Sequence, residues 1–373
     1  LQRLRNVKMG SVHYVFPSAT HTRFSHCLGT CHITQLVLER LKADASLDVT
    51  SEDVVCVSIA ALCHDIGHGP YSHLYDGPFM AALGRKGEWT HEMGSKALLR
   101  RVFCNPKVET ALREYLGGSD DERYKRNLEF IIEMISPLEK MLGPAGEWLP
   151  VGRPIAKSFL YDIVSNVHDG LDVDKFDYIL RDAKMSGFGI RFNEDSLLRV
   201  INSIRVLPCP RLGIRRICFA SKTADELLAL SDSRHVLHAR VYQHKTVILI
   251  DAMIVKAFIA AEPFLSFRNK KGENFPLSKI FEDYDVFCSI DDSVLQMISS
   301  STHPDLEKAR GYLQDIAERN LARRVAYVEC SPNQNEKLRD IGKQCYKVAQ
   351  HIQEQLVEES KTQGVTDDDV YVI

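Results

Sequence analysis

Residues 54–77 read VVCVSIAALCHDIGHGPYSHLYDG, an apolar run that ends in His64 and Asp65, with His68 and His73 following among glycines and a proline. Neutral imidazole and ionised carboxylate are ligands for Zn, Mn, Fe or Mg, and burying both without a partner costs several kcal/mol. A divalent cation removes that cost, so metal chemistry is the first reading of this pair. The other reading is that His64 and Asp65 satisfy one another beneath a helix. Clustering favours the metal, because eight of the fourteen histidines (13, 21, 26, 32, 64, 68, 73 and 91) lie in the first quarter of the chain. A second cue is GLDVDKFDYILRD at residues 170–182.

These side chains need elements to position them. An apolar run of about ten residues without alternation suits a buried helix, and Gly67, Gly69 and Pro70 stop it just after the polar pair. In SATHTRFSHCLGTCHITQLVLERLK, Ser18 or Thr20 can cap a helix that continues to about Lys42. Arg23 and His26 stand three apart and share a face of it. Two cations there would repel, so the pairing makes sense if His26 is neutral on a metal while Arg23 holds an anion brought to it. A core histidine beside a surface arginine is the plainer alternative. Thr90 caps a further helix with His91 at its start, where the helix dipole depresses an imidazole pKa; such a residue suits proton transfer, or capping alone. Two helical runs surround Gly170. In the second, Asp174, Tyr178 and Asp182 fall four apart as one polar stripe with Lys175 adjacent. Asp174 is the natural last metal ligand, and Tyr178 and Asp182 suit a substrate hydroxyl. Residues 204–220 read as a small β-hairpin. Arg234, His238 and Tyr242 then recur every four residues, a stripe fit for a polyanion carrying a base or sugar, or an ordinary solvent-facing helix face.

With 373 residues, 45% hydrophobic and 26% charged, and a net charge of −3, the chain has ample core for one large domain or two modest ones and no net charge for a dedicated nucleic-acid binder. The clusters Arg211, Arg215, Arg216 and Arg319, Arg323, Arg324 read as solvated faces. Ten cysteines without a CxxC pair point to reduced thiols inside a cell, in nucleus or cytoplasm. No apolar run approaches the roughly 18 residues of a membrane span. The polar stretch SFRNKKGENFP marks a boundary, dividing the chain into residues 1–265, which carry the chemistry, and a smaller lobe at 266–373. Both ends look cut, and the last four residues resemble a strand just begun.

In the order His26, His64-Asp65, Asp174 the chain resembles the H…HD…D signature of the HD-domain metal-dependent phosphohydrolases. FPSATHTRFSHCLG, LCHDIGHGPYSHLYDG, WTHEMGS, KSFLYDIVSN, DVDKFDYILRD and YQHK resemble one branch, the SAM-and-HD-domain deoxynucleoside triphosphate triphosphohydrolases of animals, over roughly residues 1–330. The resemblance implies a mostly α fold: an HD-domain helical core with a small β-hairpin and a smaller C-terminal α/β lobe. It also implies hydrolysis of a dNTP to deoxynucleoside and inorganic triphosphate, by water attack on the α-phosphorus. His26, His64, Asp65 and Asp174 would hold the metal, with Mg accompanying the nucleotide, and Arg23, Lys175 and Arg234 would neutralise the triphosphate. By the same resemblance His68, His73 and His91 line the phosphates, His73 protonates the leaving 5′ oxygen, and His91 with Asp76 forms a proton relay. Tyr178 and Asp182 read the 3′-hydroxyl, and Tyr242 and Gln243 lie against sugar and base, beside His238.

The family is activated by GTP and dNTP bound between subunits of a dimer or tetramer. Gln2, Arg5 and Arg319 fall where it recognises the activating guanine. At its second nucleotide site Lys222 is kept, but Ser196 and Ala220 replace arginines and Glu226 replaces asparagine. After Lys8 the family residues that crowd the sugar 2′ position give way to Met9, Gly10, Ser11 and Val12 in a loop one residue shorter, which leaves ribonucleotide exclusion open. Two other readings stand beside this one. The chain could be another HD phosphohydrolase, a phosphodiesterase or nucleotidase, in which His68, His73 and His91 hold a second metal. It could also be a scaffold that binds nucleotides or single-stranded nucleic acid without turnover.

Overall fold

In the computed structural model, which describes residues 1–138, 141–322, 353–354 and 357–358, the histidine-bearing segments become three helices packed side by side. Helix α1 (Arg23–Lys42) lies between α2 (Ser51–Cys63) and α5 (Val173–Ser186), and α4 (Asp121–Ile135) backs α2. The apolar run of α2 ends at Cys63, leaving His64 as its C-cap. Helix α1 buries His26, Cys27, Thr30, Ile33, Thr34, Val37, Leu38 and Leu41, at the three-and-four spacing of one helix face. Gly29 sets how closely α1 meets α5, since a Cβ there would collide with the Asp177 carboxylate and the Arg181 guanidinium.

Helix α1 is capped by Thr22 rather than by Ser18 or Thr20. Lys8 and Thr22 form an antiparallel bridge, and Arg23 N donates to Val7 O (2.9 Å), so residues 18–21 are diverted into a turn before the helix can begin. Helix α3 (His91–Phe103) starts at Thr90 as read from the sequence, with Met93 N donating to Thr90 Oγ1. The run ahead of Gly170 is a 3₁₀ segment, Ile155–Asp162, rather than an α-helix. Its last residue is held by the hairpin instead: Asp162 accepts from Arg216 Nε (2.7 Å) and Ile217 N (3.0 Å). That hairpin is the one expected, β1 (Arg205–Cys209) antiparallel to β2 (Ile214–Cys218) with Val206 opposite Ile217.

After α6 (Ala224–Leu237) and the long apolar α7 (Lys245–Ala261) come a second small pair, β3 (Ser266–Arg268) with β4 (Asn274–Pro276), short helices, and α8 (Glu307–Glu318), which packs on α7. Residues 290–292 reach the N-terminal segment, where Arg3 Nη1 donates to Ile290 O (3.1 Å) and Lys8 N to Asp292 Oδ2 (2.8 Å). The expected strand at 370–373, with Arg323 and Arg324, lies outside the described residues.

One buried carboxylate fixes the start of α2. Asp53 accepts from Thr50 N (2.9 Å) while its own N–H donates to Thr50 Oγ1 (3.2 Å), a reciprocal cap. It also receives Arg153 Nε (2.5 Å) and Lys157 Nζ (2.7 Å). Removing one partner of a buried pair leaves an uncompensated charge. Asp53→Ala is therefore expected to lower unfolding free energy by about 3–5 kcal/mol, read from guanidinium denaturation; an unchanged midpoint would mean that Arg153 and Lys157 find other partners.

Candidate active site

Three helices deliver the expected ligands to one point. His26 Nε2, from the first turn of α1, lies 3.2 Å from His64 Nε2 at the end of α2 and 2.9 Å from Asp174 Oδ1 at the start of α5, and His64 Nε2 is 3.4 Å from the same oxygen. Asp65 borders this trio, 3.4 Å from His64 Nε2 and 3.7 Å from His26 Nε2. Donor atoms about 2.0–2.2 Å from one cation stand roughly 2.8–3.6 Å from each other, so the spacing fits a shared ion. The outer nitrogens agree. His64 Nδ1 donates to Ala61 O (2.8 Å) and His26 Nδ1 faces Asp177 Oδ2 (2.7 Å), which turns both Nε2 atoms toward the centre.

The charges call for a positive group at the same point. Burial is the largest influence on His26 and opposes its ionisation, but hydrogen bonds to Asp174 and Asp177 outweigh it and push the imidazole up to about 10. Between carboxylates and without an ion His26 keeps its proton, and the neutral, metal-bound His26 expected from the sequence requires a cation in that proton's place. Asp65 and Asp174 are held well below the ordinary carboxylate range despite burial, Asp65 by His64, His68 and Arg23, Asp174 by His26 and His64. Arg23 is more tightly bound than a waiting anion receptor, with Nη1 on Asp65 Oδ2 (2.8 Å) and Nε on Ser72 Oγ (2.9 Å).

A second group, His68, His73, Asp76 and His91, brings its donor atoms within 4.8 Å of one another. Asp76 sits in a π-helical turn, Tyr75–Phe79, and accepts from His91 Nδ1 (2.8 Å) and His91 N (3.1 Å). That bond reverses the expectation for His91. Burial lowers its pKa most, but Asp76, Asp65 and Glu92 outweigh it, and the pKa is raised. His68 stacks on His91 with centroids 4.1 Å apart and planes 5° from parallel. Burial, Arg23 and His91 hold His68 well below the ordinary imidazole range. His73 is different: its side chain is 65% exposed, with Nδ1 3.6 Å from Asp76 Oδ1.

The turn between these histidines is strained. Tyr71 (φ 58°) and Ser72 (φ 56°) are consecutive non-glycine residues in the left-handed region, each costing of order 1–3 kcal/mol. Gly67, just before it, lies so close to α3 that a Cβ would strike His91 O and Ser95 N.

Both groups open on a cavity of about 510 Å³, large enough for a nucleotide. Lys175, Tyr178, Asp182, Arg234, His238 and Tyr242 line it, as the two stripes require, together with Arg23. The second stripe is not a continuous α-helix, because α6 passes at His238 into a π-helical turn ending at Tyr242, and the wider turn re-aims Tyr242. Tyr242 donates to Asp182 Oδ2 (2.5 Å), and His21 Nε2 meets Asp182 Oδ1 (2.7 Å). Both oxygens of Asp182 are therefore engaged. Arg234 Nε donates to Tyr178 Oη (3.1 Å), and Lys175 Nζ to Asp172 Oδ2 (2.9 Å). Gln243 does not line the cavity; it follows the turn, its N–H on His238 O. Met9, Gly10 and Asp251 do line it, and burial pushes the Asp251 carboxyl up to about 6.

Sequence reasoning missed Asp177, His21 and Ser72 as site residues. Asp177 stands in the quoted run 170–182, but only the three-helix geometry aims it at His26. Gln2, Arg5, Arg319 and Lys222 lie away from the cavity. Arg5 donates to Gln2 Oε1 (2.6 Å) and stacks on Phe24, Arg319 donates to Tyr14 O (3.0 Å), and Lys222 is exposed in a 3₁₀ turn. Arg199 donates to both Glu226 (2.7 Å) and Ser196 (3.1 Å), joining two of the departures.

A family model described as the HD domain matches residues 23–141. The chain is 37% identical over 323 residues to the deoxynucleoside triphosphate triphosphohydrolase SAMHD1 of Bos taurus, covering 86% of this chain and 53% of that protein. The Homo sapiens protein of the same name is 37% identical over 331 residues (87% and 50%), and that of Danio rerio 35% over 349 residues (92% and 54%). The chain spans about half the length of these curated relatives.

Asp177 provides a test of the metal centre from outside it. Asp177→Ala removes the group that orients His26 and is expected to weaken Mn or Zn binding by roughly 10- to 100-fold, measured by chelator competition on folded protein. Unchanged affinity would show that Asp177 serves only Arg181.

Proposed function

Because this chain carries an HD domain and is a relative, over most of its length, of deoxynucleoside triphosphate triphosphohydrolases, we propose that it hydrolyses a dNTP to deoxynucleoside and inorganic triphosphate. The observation that carries the reading is the convergence of His26, His64 and Asp174 beside a cavity walled by Arg23, Lys175 and Arg234. A divalent cation held by His26, His64, Asp65 and Asp174, whether Fe, Zn, Mn or Mg, would supply Lewis-acid polarisation of a phosphoryl oxygen and activation of water.

The chain's own residues do the rest. Arg23, Lys175 and Arg234 neutralise the triphosphate, to which Mg is also bound, and the forked guanidinium suits phosphate oxygens. His73, exposed to the cavity, delivers a proton to the leaving 5′ oxygen, and His91 on Asp76 resupplies it. Neutral His68 adds a hydrogen bond to the phosphates without competing for the metal's charge. Tyr178, Asp182, His238 and Tyr242 hold sugar and base, with Gln243 behind them.

Activation by GTP at Gln2, Arg5 and Arg319, assembly into a dimer or tetramer with residues 266–373 as the regulatory lobe, and control of dNTP pools in nucleus or cytoplasm belong to the same proposal. The second nucleotide site, with Lys222 kept but Glu226 facing Arg199, is expected to bind a triphosphate weakly, since the acid neutralises the arginine.

One observation favours a second reading. The donor atoms of His68, His73, Asp76 and His91 also suit a metal, as in a two-metal phosphodiesterase or nucleotidase. Product identity separates the two. Incubation with dGTP, or with dATP plus GTP, is expected to give intact triphosphate by ion-exchange chromatography; pyrophosphate or monophosphate would favour the second reading. Asp174→Ala is expected to lose bound metal and turnover while remaining folded, and retained hydrolysis would remove Asp174 from the ligand set.

A further inference from the structure

The strained turn before His73 is held from a distant part of the chain. Asp292 is buried, lies at the start of a helical turn in the segment after β4, and touches neither the cavity nor the metal ligands. Its Oδ1 accepts the Tyr71 N–H at 2.6 Å, its Oδ2 accepts the Lys8 N–H at 2.8 Å, and its own N–H donates to Asn6 O at 3.3 Å. Lys8 is in turn tied to the same strained turn, because Ser72 Oγ donates to Lys8 O (2.6 Å) while accepting from Arg23 Nε. Arg3, two residues before Arg5 in the same N-terminal 3₁₀ segment, closes the other side. Its Nη2 donates to Ile66 O (3.0 Å) and His68 O (2.6 Å), and its Nη1 to Ile290 O.

A left-handed Tyr71–Ser72 pair persists only where its surroundings over-determine it. Beside the direct Ser72–Lys8 bond, the two-oxygen carboxylate of Asp292 accepts one N–H from the turn, at Tyr71, and one from the N-terminal segment, at Lys8. We propose that Asp292 is a positioning residue, clamping the Tyr71–Ser72 turn against Lys8 so that His68 and His73, on either side of it, are set toward the cavity. This rests on the hydrolase reading for its effect on rate, though not for the clamp itself. An asparagine cannot replace the carboxylate here. It keeps one acceptor oxygen and presents an amide donor to whichever backbone N–H has lost its partner. Burial pushes the Asp292 carboxyl up to about 7 against the pull of those N–H groups, so the comparison belongs at pH 8, where it is ionised.

The test compares the full chain with Asp292→Asn and Asp291→Ala. Asp291 touches the same N-terminal segment through Asn6 Nδ2 (3.0 Å) but not the turn. With dGTP and GTP, Asp292→Asn is expected to lower kcat about 10- to 100-fold, leaving KM and bound metal unchanged, while Asp291→Ala matches the parent. Amide hydrogen exchange is measured on the same proteins. In Asp292→Asn, faster exchange is expected at residues 66–74 and 6–9 and nowhere else. Parent-like kcat and exchange would overturn the proposal, and so would accelerated exchange throughout the chain, which would make Asp292 a residue of global stability. Should the parent fail to release triphosphate, the hydrolase reading falls while the exchange pattern still decides whether Asp292 holds the turn.

Discussion

Two imidazoles and two carboxylates crowded beneath the surface, with donor atoms about as close as the coordination sphere of a single ion allows, impose the constraint on which the structure depends. Like-facing nitrogens 3.2 Å apart are tolerable only if a proton or a metal sits among them. The surrounding helices hold that arrangement against its own repulsion. Gly29 lets α1 and α5 approach until Asp177 reaches His26, the end of α2 offers Ala61 O to His64, and Arg23 offsets the charge of Asp65. These contacts are shared among α1, α2 and α5, so the centre exists only as a tertiary object.

The neighbouring histidines are differentiated by the same means. His68 and His91 are stacked face to face, yet burial and Arg23 push the pKa of one down while Asp76 pushes that of the other up. Environment, not residue type, thereby sets the two imidazoles apart. The π-helical turns at Tyr75–Phe79 and His238–Tyr242 carry Asp76, which bonds His91, and the cavity-lining His238 and Tyr242, and each widens a helix where a side chain must be re-aimed.

How far this was legible in the sequence can be judged residue by residue. The apolar run into His64 and Asp65, the cap at Thr90, the 205–218 hairpin and the Asp174, Tyr178, Asp182 stripe could all be read, because each is a local pattern of spacing or turn chemistry. The start of α1 could not. Ser18, Thr20 and Thr22 are equivalent as caps until the bridge between Lys8 and Thr22 selects the last. His91 was misjudged for a similar reason, since the dipole of its own helix is written in the sequence while the carboxylate of Asp76 on another element is not. Asp177 lay in plain view but unassigned, because i+3 from a metal ligand says nothing about what faces it until α1 is in place. The π turns leave no composition signal, and Gln243 entered the site through the family resemblance alone, with no spacing pattern to place it.

The bond from Arg3 to Ile290 spans 287 residues, and it meets the turn that carries His68 from both sides. Such a contact has a consequence in time. A ribosome that has released the whole of α1, α2 and α5 has already supplied every atom of the metal cluster, but the brace that seats the intervening turn is still unmade. Closing so long a loop comes late and slowly in folding. The atoms of the candidate metal cluster are thus all present in the nascent chain well before Ile290, to which Arg3 donates, has been synthesised.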